Sequence, residues 1–174
     1  MDHISFASNH PPPNNKPFES TFKLINPYND KETESIRLWP NHCVQGTQGA
    51  ELLPEMDKTS LDHIVEKGMD KRVEMYSAFS DPFRYPAVSK SKLSDLLKKA
   101  GITHVFVAGL AADYCVKYTA IDSNEEGFVT YIIEDATKAV APQHWSSERR
   151  LLQDKGVQLV NTNGDDIRSI GRSS

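Results

Sequence analysis

The chain has 174 residues, 38% hydrophobic and 25% charged, which suits one soluble domain with one core. A formal net charge of −4, with both signs mixed along the chain, excludes the basic stripe of a nucleic-acid binder. The longest apolar run, Val105 to Ala112, is of strand length, far from the ~20 residues of a membrane span.

Two cysteines, Cys43 and Cys115, are too few for a disulfide framework. Met1-Asp2-His3-Ile4-Ser5 carries neither the basic nor the apolar region of a secretory leader, and Gly171-Arg172-Ser173-Ser174 is no peroxisomal address. A cytoplasmic or nuclear protein with free thiols, without membrane or nucleic-acid partners, is therefore expected.

In chain order, residues 1 to 37 predict no regular element: Pro11-Pro12-Pro13-Asn14-Asn15 leads into a polar stretch. Loops beyond about 12–15 residues are uncommon in compact domains, so this opening suggests that structure belongs upstream. Thr47 is placed to cap a short helix through Leu52 and Leu53. Asp62 to Glu66 reads as a short strand ending at Lys67-Gly68. From about Ser91 a helix is predicted, with Leu93, Leu96, Leu97 and Ala100 on one face and Gly101 as its stop.

His104 to Ala108 is a continuous apolar strand of the kind covered on both faces. A helix from Asp113 to Glu126 stops at Gly127, and Phe128 to Ile133 is the next strand. A helix from Ser146 to Lys155 stops at Gly156, Val157 to Val160 is a last strand, and the polar tail from Asn161 is expected to be loose. Strand and helix in alternation predict an α/β fold with a mostly parallel sheet, over a domain of residues 1–165 and a polar tail 166–174.

In such sheets chemistry sits outside the carboxyl ends of the strands. Two features fall there: Lys67, and the turn Gly109-Leu110-Ala111-Ala112-Asp113-Tyr114-Cys115. With Asp113 as N-cap, Cys115 lies in the first helical turn, where the helix dipole and backbone N–H groups favour a thiolate and can stabilise an oxyanion. The competing reading is a buried structural thiol. A lysine beside such a cysteine can hold the thiolate and neutralise developing charge, or be a solvated loop residue. His42, in Leu38-Trp39-Pro40-Asn41-His42-Cys43, is either a metal ligand or a hydrogen-bonded structural histidine. The aromatics of Tyr76-Ser77-Ala78-Phe79 suit a wall for a flat ring, or lid packing.

Taken together, these segments resemble the nicotinamidases of the isochorismatase-like hydrolase superfamily, most of all the fungal branch. The resemblance runs in order from His3-Ile4-Ser5-Phe6-Ala7 through Trp39-Pro40-Asn41-His42-Cys43, Lys67-Gly68, Tyr76-Ser77-Ala78-Phe79 and Gly109 to Val116, ending at Asp135-Ala136-Thr137. It implies a three-layer α/β sandwich that hydrolyses nicotinamide to nicotinate and ammonia in NAD salvage. Cys115 is then the nucleophile that forms a thioester, and Lys67 the group that stabilises thiolate and transition state. Leu110–Ala111 matches a cis peptide that sets the oxyanion donors, and Tyr76, Phe79 and Tyr114 line the substrate pocket. His42 matches one ligand of a divalent metal, zinc in type, and His3 an extra ligand of some bacterial relatives. A homo-oligomer is left open.

The family's catalytic Asp, in an Asp-x-Gln-x-Asp-Phe motif, and its Asp-Trp-His metal-binding triplet have no counterpart in the 174 residues. The family's first two strands, which the resemblance puts between the strands of Lys67 and Cys115, are thus expected to be missing, and the chain alone to be inactive or nearly so. Two other readings stay open: a related cysteine amidohydrolase acting on a carbamoyl or ureido substrate, and a catalytically dead binding protein of the same fold.

Overall fold

The structure is a computed structural model that describes residues 3–170. The chain divides into two compact units, Met1–Met75 with Ser80–Lys90, and Tyr76–Phe79 with Ser91–Ser174.

The first unit contains a hairpin where the sequence predicted no element. Strands β1 (Thr21–Asn26) and β2 (Asn29–Arg37) pair antiparallel, with Phe22 opposite Ile36 and Leu24 opposite Glu34. The alternation of Phe22, Leu24 and Asn26 turns one face inward. Its partner escapes an apolar-pattern search because Ile36 is the only large hydrophobic residue of β2. A sheet with one solvated face needs no more, since backbone pairing carries the polar strand. Leu24 and Ile36 bury against Val73 and Phe83. Asn26 is buried with its amide fully used: Nδ2 donates to Glu32 Oε2 at 2.7 Å and to the Pro86 carbonyl at 2.8 Å, and Oδ1 accepts from the Tyr28 N–H at 3.0 Å.

Beyond the hairpin this unit is mostly turns. Thr47 does not start a helix reaching Leu53. A single 3-10 turn, Gln48–Ala50, follows it, and its hydroxyl donates to the Val44 carbonyl at 2.7 Å. Gly49 inside the segment and Pro54 after it work against a longer helix. Asp62 to Glu66 likewise forms no strand, and Ile64 is 62% exposed. A strand exists only with a neighbour to share its hydrogen bonds, and among the described residues this segment has none.

Asp81 organises the return loop. It is fully buried, and its carboxylate accepts from the N–H groups of Phe83 at 2.8 Å, Val88 at 2.7 Å and Ser89. Replacing Asp81 with alanine strands these donors and is expected to cost about 3 kcal/mol, read as a lowered midpoint in urea unfolding. Asp81→Asn, which keeps one acceptor oxygen, should lose less.

The second unit holds a parallel sheet of β3 (His104–Leu110), β4 (Val129–Lys138) and β5 (Gln158–Val160), in that spatial order. Helix α1 (Leu93–Lys99) precedes β3, α2 (Lys117–Glu125) and α3 (Trp145–Asp154) join the strands, and α4 (Asp165–Ile170) follows. Gly101, Gly127 and Gly156 follow the first three helices with φ of +69°, +96° and +82°, the left-handed stop expected at those positions. The tail predicted to be loose from Asn161 is in part helical, as α4. Asp135 ties the segment before it to β4, accepting from the N–H and hydroxyl of Thr162.

The core collects on one face of the sheet: Val107 and Ile132 meet Val116, Ala120, Leu152 and Val157, with Val105, Ile121, Trp145 and Leu159 around them. The opposite face is only partly covered. Phe106 and Tyr131, neighbours in register, stack there at 4.5 Å, while Ala108 is exposed and Leu110 is 75% exposed. The expectation that β3 is covered on both faces does not hold for the described residues, among which β3 is an edge strand. No helix among them is long and apolar enough to cross a membrane.

Candidate active site

Strand β3 ends at Leu110, and the Leu110–Ala111 peptide bond is cis. The chain then makes one π-helical turn, Ala112–Val116, which runs directly into α2. Cys115 sits in that turn, half-buried and in no disulfide, at the carboxyl edge of the parallel sheet. The turn differs from the predicted one. Asp113 is not the cap: the cap position falls on Ala111, whose carbonyl accepts from the N–H groups of Tyr114 at 3.1 Å and Val116 at 3.0 Å. The Asp113 carboxylate, buried, accepts instead from Val140 N–H at 2.9 Å and Ala141 N–H at 2.8 Å, fastening the turn to the segment after β4. An aspartate with two backbone donors within reach satisfies its charge better there than at a helix start.

Aromatic rings gather on the same turn. Tyr76 lies 5.2 Å from Tyr114, tilted, and 5.4 Å from Tyr118, stacked. Lys117 lies over the Tyr118 ring, with Nζ 4.9 Å from its centre and bonded to Glu148 at 2.9 Å. Phe79 is buried, its ring 6.4 Å from that of Phe128. Tyr118 was not singled out by the sequence reading, although its place four residues after Tyr114 was a usable signal, since such pairs share a helix face.

The other candidates belong to the first unit. Lys67, predicted to end a strand, lies in an irregular segment, and its Nζ donates to the Met75 carbonyl at 2.8 Å. Gly68 beside it has a φ of +65°, and its N–H approaches Met75 Sδ at 3.5 Å. One loop is thus held against the residue that precedes Tyr76. His42 and His3 flank Phe6, with ring centres 5.7 and 5.6 Å from it. Backbone bonds join their two segments: Ala7 N–H to the Trp39 carbonyl, and Trp39 N–H to the Ser5 carbonyl, each at 2.8 Å.

His42 Nδ1 lies 2.8 Å from the Pro40 carbonyl, which can only accept, so Nδ1 carries the proton and a neutral ring keeps the Nε2 lone pair. A metal-binding histidine is oriented in this way. His3 is buried. Desolvation holds its pKa below the ordinary histidine value against the attraction of Glu74. Its Nδ1 accepts from Ser5 N–H at 3.3 Å and meets Ser5 Oγ at 2.8 Å, while its buried Nε2 has no hydrogen-bond partner among the described residues. Both histidines fit a ligand's role, His3 only if its proton moves to Nδ1. No cluster of three potential ligands exists among the described residues.

The family pattern described as the isochorismatase domain matches residues 8–164. The chain belongs to the isochorismatase family. Its α/β architecture, with a parallel sheet and flanking helices, is that family's fold.

The nicotinamidase of Acinetobacter baylyi is 42% identical over 139 residues, which cover 80% of this chain and 59% of that enzyme. The chain therefore spans less than two thirds of that relative's length. The yeast nicotinamidase bound to the inhibitor nicotinaldehyde is structurally similar, with a TM-score of 0.82 and 33% identity over 92% of this chain and 74% of that one. A pyrazinamidase of Pyrococcus horikoshii in complex with zinc follows at a TM-score of 0.64 and 25% identity, over 92% of this chain and 69% of that one.

Proposed function

We propose that these residues form the nucleophile-bearing part of a nicotinamidase, one hydrolase domain over residues 1–165 with a polar tail at 166–174. The observation that carries the reading is Cys115, set in a helical turn directly after the cis Leu110–Ala111 bond, with Tyr76 and Tyr114 in contact beside it. The relatives that hydrolyse nicotinamide, and the zinc held by one structural neighbour, support it.

In this reading the Cys115 sulfur attacks the carboxamide carbon, and the C–S bond forms as the carbonyl oxygen takes up negative charge. Backbone N–H groups of the turn stabilise that oxyanion. The tetrahedral species collapses, the C–N bond breaks, and the nitrogen leaves as ammonia, carrying the proton that the thiol gave up on attack. Water then hydrolyses the thioester, releasing nicotinate and restoring the thiol. Lys67 is the group to which the resemblance gives stabilisation of the charge that develops in the transition state. A divalent metal, held in part by His42, would supply a Lewis-acid anchor for the pyridine nitrogen. The proton relay that the resemblance assigns to an Asp-x-Gln-x-Asp-Phe aspartate has no matching motif among these 174 residues, so turnover is expected to need groups beyond them.

The test is ammonia release from nicotinamide by the 174-residue chain, and by the same chain joined to the upstream segment of the A. baylyi enzyme. Turnover in the joined form, with little or none in the shorter one, is the expected result. Ammonia from a carbamoyl substrate with none from nicotinamide in either form would overturn the reading.

A further inference from the structure

The geometry points to Thr119 as a positioning residue for the bound ring, acting through the segment Tyr76–Phe79. This inference rests on the proposed attack of Cys115 on a ring carboxamide.

Thr119 lies four residues after Cys115, so the two share a helix face one turn apart. Its Oγ1 accepts the Ala78 N–H at 2.9 Å. The Ala78 carbonyl is taken as well, by Ser91 Oγ at 2.5 Å, and Ser91 N–H donates to the Phe79 carbonyl at 2.9 Å. The backbone on which Tyr76 is carried is thereby clamped between the start of α1 and the helix that follows the nucleophile. Tyr118, adjacent to Thr119, stacks on the Tyr76 ring, and Tyr114, adjacent to Cys115, meets it at a tilt. Two ring contacts, from Tyr114 and Tyr118, and the Thr119 hydrogen bond to Ala78 thus set where the Tyr76 ring lies relative to the turn that carries the sulfur. A β-branched residue carrying a hydroxyl is a poor choice for a helix interior on propensity alone. Its hydroxyl here takes a backbone N–H from a separate segment, which repays the choice.

A flat ring must be held with its carboxamide carbon within bonding reach of sulfur, and a small drift of the wall misaligns it. Loss of the Thr119 oxygen leaves the Ala78 N–H without its acceptor and frees the segment, weakening the hold on the ring without touching the thiol.

The experiment compares wild type, Thr119→Val and Thr119→Ser in the form of the enzyme that turns over nicotinamide, with Cys43→Ser as background. Three quantities are read: KM and kcat for nicotinamide, the rate of Cys115 alkylation by iodoacetamide, and amide hydrogen exchange across residues 76–79. Thr119→Val should raise KM about tenfold, with kcat within about threefold of wild type, as the loss of one partly buried hydrogen bond implies. Alkylation should be unchanged, and exchange at Ala78 should accelerate while α2 stays protected. Thr119→Ser should restore both KM and exchange.

An unchanged KM in Thr119→Val would overturn the inference, as would a serine variant as impaired as the valine. Should wild type fail to hydrolyse nicotinamide, the functional reading falls and the catalytic role with it. Exchange at Ala78 would then still decide whether Thr119 holds the segment, so the two failures are told apart.

Discussion

In the joined form that turns over nicotinamide, replacement of Cys115 by alanine is expected to abolish ammonia release, lowering kcat by roughly 10^5-fold or more, the scale of a deleted nucleophile. The second cysteine, Cys43, is exposed and lies outside the turn that follows the cis bond. Cys43→Ser should accordingly leave turnover near wild type. The turn that carries the sulfur is held by the Ala111 carbonyl and by the Asp113 bonds to Val140 and Ala141, which Cys115→Ala leaves in place, so the variant should still fold. Cys115→Ser is the sharper variant: it preserves volume and puts a hydroxyl, which ionises far less readily, at the same point. Measured by coupled ammonia assay and thermal unfolding, both variants should be folded and inactive. A serine enzyme with substantial turnover would show that the sulfur is not the attacking atom.

Lys67→Met is expected to be the next largest loss, about 10^2–10^3-fold in kcat, the cost of removing one group that stabilises charge in the transition state. Methionine keeps most of the alkyl stem, so the loss reports the ammonium. The Nζ is already oriented by the Met75 carbonyl at 2.8 Å, in a loop whose Gly68 has a positive φ. Lys67→Arg should recover little of the activity. A planar guanidinium spreads its charge over a wide fork, whereas an ammonium is a compact point charge on a flexible stem. Steady-state kinetics check this, with a pH profile to separate loss of the thiolate from loss of transition-state binding. A Lys67→Met enzyme within tenfold of wild type would remove Lys67 from the chemistry.

The second unit was largely readable in advance because its signals are local. A continuous apolar run marks β3, and glycines at 101, 127 and 156 end helices where they must adopt positive φ. The hairpin of the first unit was not readable, since β2 is Asn-Asp-Lys-Glu-Thr-Glu-Ser-Ile-Arg and its pairing is carried by backbone groups that any residue possesses. Asp113 misled in an instructive way. An aspartate just before a helix is a good cap, but here its carboxylate reaches two N–H groups from 27 and 28 residues later, a tertiary demand no local pattern reveals.

The site divides along the same line. Cys115 at a strand-to-helix turn follows from alternation of elements, whereas the part given to Lys67 was one of two open readings until the family resemblance favoured it, and the cis bond at Leu110–Ala111 came only with that resemblance. Thr119 was invisible for another reason: its partner is the backbone of Ala78, which leaves no mark on residue type.

The most direct test of the central claim is to catch the acyl-enzyme. The joined form of the chain, mixed with nicotinamide and quenched in acid within the first turnovers, should give a peptide containing Cys115 with a nicotinoyl group on sulfur, detected by mass spectrometry and lost on treatment with hydroxylamine. Turnover with no adduct on that peptide under conditions where the thioester accumulates, or an adduct on Cys43 instead, would contradict the assignment of Cys115 as the nucleophile.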